Sequence, residues 1–449
     1  MSNKLPVVAI VGRANVGKSS LFNRMIGRQQ QVVAREAGTT RDAVYGQLEF
    51  GKHHFWLVDT AGLKPAEDEF EASIQDQIEE AAEAADVILV VVEAGTQITE
   101  EDRRVAKKAL KSKKPVILVT NKIDQAKGSD TPWERLGIKE IFATSATQSV
   151  GVKDLLTQLT EMLPEKQALS DDVIRIALLG RPNVGKSALF NTLAKKQQAI
   201  VANRAGTTRD INRVRIKFEK HEFEILDTAG IRRSGKIEQG IEKFSVLRSL
   251  QAIEEADICL LLMDVHELNT ALDQKIAGLI KEAGKGLIIV VSKWDSADKD
   301  AFTRDQLAPS IVHHFNFVPW APLIFTSAET GQNVAKLFEL ALGIYNRRRQ
   351  SLKTTDLNKV LSQSISMHPP AGLKNRHPKP RYIVQDATAP PTFRLYGAHL
   401  EFLHWSWKRY LEKNLRETAD FSGTPIKIYM MNNERKSGKT RKFLPKTYE

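Results

Sequence analysis

The chain of 449 residues is poor in several things. It has one cysteine, Cys259, so no internal disulfide can form and a reducing compartment is expected. Cys259 lies in the apolar run Ile258–Met263 and reads as a small core residue rather than a redox centre. No apolar stretch approaches the roughly 20 residues of a membrane helix. The longest, Val87–Val92 and Ile258–Met263, are strand-sized, and no membrane association is expected. The opening MSNKLPVVAIVG lacks the regions of a signal peptide, so none is expected. Net charge is also missing from most of the chain. Residues 1–346 carry 45 Lys/Arg against 46 Asp/Glu, whereas residues 347–449 carry 21 against 8, a net +13. Such a field at one end attracts polyanions. The plainer alternative is a solubilising surface.

What is present is present twice. Gly12-Arg13-Ala14-Asn15-Val16-Gly17-Lys18-Ser19 recurs as Gly180-Arg181-Pro182-Asn183-Val184-Gly185-Lys186-Ser187, 168 residues on. GTTRD at Gly38–Asp42 recurs at Gly206–Asp210, and Asp59-Thr60-Ala61-Gly62 recurs as Asp227-Thr228-Ala229-Gly230, both at the same offset. Asn121-Lys122-Ile123-Asp124 answers to Ser292-Lys293-Trp294-Asp295, and Ser145-Ala146 to Ser327-Ala328, with the offset drifting to 171 and 182. A period this long is a duplicated domain, not a solenoid. The late drift suits loop insertions between fixed elements. Buried Val/Ile/Leu runs alternate with helical stretches in each copy. They predict strands at Val7–Val11, His54–Val58, Val87–Val92, Val116–Thr120 and Ile141–Ala143. In the second copy the strands fall at Ile174–Leu179, Phe223–Leu226, Ile258–Met263, Leu287–Val291 and Leu323–Phe325. The pattern implies a mostly parallel sheet with helices on both faces, twice over.

The boundaries read as a first domain over 1–164, a linker over 165–173, a second domain over 174–350 and a third over 351–431. A basic tail over 432–449 is expected to be mobile. The third domain reads helix (Thr355–Ser366), strand (Arg381–Asp386), strand (Thr392–Tyr396), helix (Leu403–Glu417), strand (Ile426–Met431).

The first box is the pattern GxxxxGK[ST] between a strand and a helix. Its backbone N–H groups can face phosphate oxygens, and the helix N-terminus adds partial positive charge. Lys18 and Lys186 should reach the β- and γ-phosphates, and Ser19 and Ser187 should ligate Mg²⁺. Asp59 and Asp227 can hold a Mg²⁺-bound water, and the Gly62 and Gly230 N–H groups can meet the γ-phosphate. Asp124 and Asp295 can accept from guanine N1–H and its exocyclic amine, which adenine does not offer. Such a site rejects the wrong base because its own acceptor would go unpaired.

With these boxes in place, the chain resembles the Der (EngA) family of GTPases, which carry two consecutive G domains. The duplication together with Ala389–Phe393 (APPTF), Trp407–Leu411 (WKRYL) and Gly423–Ile426 (GTPI) carries the resemblance, over nearly the whole chain. The resemblance implies two P-loop NTPase (TRAFAC-class) α/β domains in tandem and an α+β KH-like third domain. It implies GTP hydrolysis, a bacterial cytoplasmic location, and assembly of the large ribosomal subunit through rRNA contacts. It also implies Thr40 and Thr208 as further Mg²⁺ contacts, and K⁺ beside the phosphates at Asn15 and Asn183. For these asparagines, stabilising the loop is the alternative reading. A duplicated domain can make within one chain the contacts that others make as dimers, so a monomer is expected.

The sequence departs from this pattern in places. The position after each DTAG box, often Gln, is Leu63 or Ile231, which cannot orient a water; slow hydrolysis is the default expectation. Ala14 stands for the usual Pro. Ser292 stands for the usual Asn, and its shorter side chain predicts weaker guanine binding at the second site. That makes a second arrangement available, in which only the first domain hydrolyses appreciably and the second senses nucleotide. No GXXG loop, by which KH domains clamp nucleic-acid backbone, occurs in the third domain. Trp405, Trp407 and Tyr396 remain candidates for rRNA, although Trp407 and Leu411, four apart, also read as a core stripe.

Overall fold

Val7–Val11 (β1) is entirely buried and runs into the phosphate-binding loop and Lys18–Gly27 (α1). In the computed structural model, which describes residues 5–27, 45–60, 81, 84–126, 131–164, 173–196, 212–227, 246–297, 303–372 and 376–432, this is the centre of the first sheet. The chain continues through Tyr45–Phe50 (β2), His53–Asp59 (β3), Val87–Glu93 (β4), Glu100–Lys111 (α2), Val116–Asn121 (β5), Glu140–Thr144 (β6) and Val152–Met162 (α3). The order is β2-β3-β1-β4-β5-β6, parallel except for β2 against β3. From β1 the chain goes first to one side and later to the other. A crevice therefore opens at the carboxyl ends of β1, β3, β4 and β5.

The second copy repeats this. It comprises Val173–Leu179 (β7), Lys186–Lys196 (α4), Asn212–Phe218 (β8), His221–Asp227 (β9), Val246–Glu255 (α5), Ile258–Asp264 (β10), Ala271–Glu282 (α6), Gly286–Ser292 (β11), Thr303–His314 (α7), Leu323–Phe325 (β12) and Lys336–Arg348 (α8). Its order is β12-β11-β10-β7-β9-β8, with β8 antiparallel. The two antiparallel edge strands, β2 and β8, have no counterpart among the expected elements. In β2 only Leu48 is buried, so no apolar run marks it. In β8 the signal was there: Val214 and Ile216 are buried and alternate with Arg213 and Arg215. Those arginines pair with Glu222, Glu224 and Glu255.

The chain divides into two units, Met1–Arg349 with Phe421–Pro425, and Gln350–Asp420 with Ile426–Glu449. Both nucleotide-binding copies lie in the first unit and share one apolar cluster. It joins Trp56 and Ala84 of the first copy to Leu247, Leu250 and Ile253 on α5 of the second. The carboxylate of Glu254, also on α5, accepts from Trp56 Nε1 (2.6 Å) and the Leu5 N–H (3.1 Å).

The second unit has Thr354–Met367 (α9), Lys379–Ala387 (β13), Thr392–Ala398 (β14), Trp405–Thr418 (α10) and Lys427–Asn432 (β15). This is the expected α-β-β-α-β order, with β13 three and β14 two residues longer than read and β15 of the length read but shifted by one residue. β13 is antiparallel and β15 parallel to the central β14. On one face, Ile383, Phe393, Leu395 and Ile428 are buried with Leu357, Leu361, Leu411 and Leu415 of the helices. Asn358 of α9 occupies the outer edge of β13. Its amide donates to Ile383 O (2.9 Å) and accepts from Ile383 N (3.0 Å), closing that edge to a further strand there. Among the described residues no helix is long and apolar enough to cross a membrane.

Candidate nucleotide sites

Each phosphate-binding loop begins with a glycine that no other residue can replace. Gly12 has φ +153°, and a Cβ there would lie 2.4 Å from Val91 O; Gly180 has φ +143° and the same clearance from Leu262 O. Asn15 and Asn183 both adopt φ 63°, a left-handed conformation that asparagine tolerates better than most residues. The loop then enters the helix at its lysine. Lys18 Nζ donates to Gly12 O (2.9 Å) and Arg13 O (2.7 Å). Lys186 Nζ repeats this with Gly180 O (3.0 Å) and Arg181 O (2.6 Å). Burial pushes the Lys18 ammonium below its ordinary pKa, while Asp59 pulls it back up and Arg13 lowers it. Ser19 Oγ donates to Asp59 Oδ2 at 2.5 Å, so a hydroxyl and a carboxylate that suit one Mg²⁺ converge at the end of β3.

The base side of the first site is assembled by Asn121, at the end of β5. Its Nδ2 donates to Val16 O (3.1 Å), and its Oδ1 accepts from Ala146 N and Thr144 Oγ1 (both 3.2 Å). One amide therefore ties the phosphate loop to the Ser145-Ala146 loop. Lys122, at φ 66°, reaches Asn15 O (2.7 Å) and Glu93 Oε1 (3.0 Å). Asp124 is exposed, and a hydrogen bond from Ser145 holds its carboxyl below the usual range.

At the second site Ser292 does half of this. Its Oγ lies 2.6 Å from Val184 O and 2.9 Å from Met263 O, so the link to the phosphate loop survives. A hydroxyl has one proton and no second arm. The space left is measurable: a Cβ on Gly17 would sit 2.3 Å from Asn121 Nδ2, but on Gly185 it would be 3.9 Å from Ser292. Lys293, at φ 55°, pairs with Asp264 (2.6 Å) as Lys122 does with Glu93. Trp294 is buried against Phe325, ring centroids 4.7 Å apart, and Asp295 next to it is half-buried.

Several residues that shape the sites went unread in the sequence. Arg24 of α1 donates to Ala146 O (2.6 Å) and Thr147 O (2.7 Å); Thr192 of α4 does the same for Ala328 O (2.9 Å). More informative is the fate of the first-box arginine. Arg13 lies 3.5 Å from Asp102 and Arg181 3.2 Å from Asp273, both aspartates buried. Each aspartate is the third residue of a helix and closes a capping box with Thr99 or Thr270. Arg181 is further held by Glu267 (2.7 Å). These guanidinium groups fasten the phosphate loops to the first turns of α2 and α6. The signal was available: T-x-x-D recurs at 99–102 and 270–273 ahead of helical runs.

Ala61, Gly62, Leu63 and Thr40 lie outside the described residues, as do Thr208, Thr228, Ala229, Gly230 and Ile231. Asp227 ends β9, as Asp59 ends β3.

A family described as "50S ribosome-binding GTPase" matches residues 7–122 and again 175–293, and "KH-domain-like of EngA bacterial GTPase enzymes, C-terminal" matches 351–430. GTPase Der of Clostridium tetani is 41% identical over 428 residues, 94% of this chain and 98% of its own. The chain belongs to the Der family of GTPases. Another member, GTPase Der of Chloroflexus aggregans, is 42% identical over 443 residues, 96% of this chain and 99% of its own. Era of Aquifex aeolicus bound to GDP and AlF4⁻ is similar at 21% identity, 58% coverage of this chain and 93% of its own, with a TM-score of 0.29. As a Der-family protein the chain hydrolyses GTP, and the family's P-loop chemistry depends on Mg²⁺. In the third domain Trp407 proves to be core: it is buried, and its Nε1 donates to His368 O (2.8 Å). Trp405 is exposed instead.

Proposed function

We propose that the chain is a nucleotide-controlled assembly factor of the large ribosomal subunit, in which two G domains govern an rRNA-facing KH-like domain. The observation that carries this reading is the pairing of two G domains matching a ribosome-binding GTPase family with a third domain whose sequence region is strongly basic. Each site holds GTP through the same division of labour. The loop N–H groups and Lys18 or Lys186 take the phosphates. Ser19, Thr40 and Asp59 would hold Mg²⁺ at the first site, and Ser187, Thr208 and Asp227 at the second. The metal would neutralise charge developing between the β- and γ-phosphates. Asp124 and Asp295 select guanine, helped by Ser145-Ala146 and Ser327-Ala328.

Leu63 and Ile231 cannot position a water, and Arg13 and Arg181 are committed to Asp102 and Asp273. The missing positive charge then falls to K⁺ beside Asn15 and Asn183. The left-handed φ at both positions supports the competing role in loop conformation. Single-turnover hydrolysis decides between them: faster in KCl than in NaCl at equal ionic strength supports K⁺, and equal rates remove it. The second site binds guanine nucleotide more weakly, because Ser292 lacks the arm that Asn121 extends to Ala146. A division in which only the first site hydrolyses appreciably rests on the same difference. The function is tested by co-sedimentation with ribosomal subunits. Binding to the large subunit that differs between GDP and a non-hydrolysable GTP analogue is expected; its absence in both states overturns the proposal.

A further inference from the structure

The outward face of the β13-β14-β15 sheet has no role in the chemistry above. The register sets Tyr382 opposite Tyr396, and Tyr396 opposite Met431; the next row is Val384, Arg394 and Tyr429. With α9 and α10 covering the other face, this one carries three tyrosines and an arginine. Tyr382 and Tyr396 lie with centroids 4.5 Å apart and planes within 5°, and Tyr382 is 42% exposed. Two parallel rings make a flat step at the spacing of stacked aromatics. Arg394 is held beside them by Asp386 at 2.7 Å and by a hydrogen bond with Tyr396. Lys379 and Arg381 are exposed on the same strand.

We propose that this face binds single-stranded RNA, the Tyr382–Tyr396 step stacking on unpaired bases. The inference rests on the rRNA reading above and names the surface and the form of RNA. The occupant is argued from three features. Residues 347–449 carry a net +13, which suits a polyanion. No GXXG loop is present to clamp a backbone, so affinity must come from elsewhere, and the exposed Tyr382 ring with half-buried Tyr396 beside it supplies it through any base. A duplex hides its base faces within its own stack, so the rings select unpaired nucleotides. A peptide adding as a strand beside Ile383 of β13 is blocked by Asn358. A cross-strand tyrosine pair also stabilises a sheet, so the test must separate stacking on RNA from folding.

The full chain is titrated into a fluorescein-labelled, unstructured 12-nucleotide RNA and into a 12-base-pair RNA duplex, with anisotropy as readout. Tyr382→Ala/Tyr396→Ala is expected to weaken single-strand binding about 10-fold, or about 1.4 kcal/mol, as the loss of one base stack does. Duplex binding and the salt dependence of the residual affinity stay as in the wild type. Tyr382→Phe/Tyr396→Phe keeps the rings and restores single-strand binding. The proposal is overturned if the alanine pair binds the single strand as the wild type does, or loses both RNAs equally. It is also overturned if the wild type binds neither, which would turn attention to a protein partner. Co-sedimentation of the wild type with large subunits separates the two readings. If it persists while the alanine pair is unaffected, only this face is wrong; if it fails, the rRNA reading fails with it.

Discussion

Glu254 and Trp56 meet at 2.6 Å in the buried contact between the two G domains. One residue lies on the helix after the second DTAG box, the other on the strand entering the first. Glu254 Oε2 also accepts the Leu5 N–H, and Lys285 Nζ donates to Glu254 O at 2.8 Å. Glu254→Ala would strand the buried Trp56 Nε1–H and the half-buried Leu5 N–H. The expected loss is about 1–3 kcal/mol, read as a lower urea midpoint for the full chain. Glu254→Gln keeps an acceptor and should lose less. Equal midpoints for the alanine variant and wild type would show the junction to be solvated.

Ser292→Asn should improve the second site. The space beside Gly185 can receive an amide like the one that Asn121 places beside Gly17, and the new arm can reach the Ala328 N–H as Asn121 reaches Ala146. One or two added hydrogen bonds of about 1 kcal/mol each tighten binding roughly 5- to 30-fold. Fluorescent GDP titrated into an Asp124→Ala background isolates this site. Unchanged affinity would mean that Ser292 is not what limits it.

Asp102→Ala removes a capping-box acceptor and the anchor of Arg13 together. The cap alone is worth about 1 kcal/mol. Because Arg13 O also receives Lys18, nucleotide binding should weaken at the first site and not at the second. Asp273→Ala should do the reverse. Parallel titrations of both variants against site-specific knockouts check the separation, and loss at both sites would point to general unfolding.

The single thiol gives a pH test. Burial pushes the Cys259 pKa up to about 12, with Lys285 and Arg348 opposing. The folded state therefore holds its proton where an unfolded chain, near pH 8.5, releases it. Above that value the unfolded state binds fewer protons, so this group's contribution is fully present below about pH 8.5 and falls as pH rises toward 12. Native protein should resist a thiol reagent at pH 8 and react with one equivalent after denaturation. Fast native labelling would place Cys259 near the surface.

Much of the site was legible because its chemistry is local. Lys18, Asn121 and Asp124 stand in short boxes whose spacing to a strand end is fixed by the backbone. The same holds for the sheets: buried parallel strands are continuous apolar runs and announce themselves. Strand β2 did not, because an edge strand with one buried side chain has no such run. Arg24 and Asp102 were missed, and with them the tie of the first-box Arg13 to Asp102, because these partners lie 89 (Arg13 to Asp102) and up to 123 (Arg24 to Thr147) residues apart. A guanidinium's role is set by what it meets.

By itself the sequence determined the duplication, the order of the strands apart from β2 and β8, the guanine-nucleotide chemistry and the end of the chain that bears the positive charge. Each follows from spacing along one strand, loop or helix. The tertiary structure alone decided that the two G domains share a buried contact, that Ser292 keeps one link of two, and that Tyr382 and Tyr396 face outward as a stacked pair while Trp407 turns inward. Those outcomes depend on which distant side chains compete for the same space. The basic end remains the place where RNA is expected. The fold adds that a sheet face, where no GXXG loop is present, is what it offers.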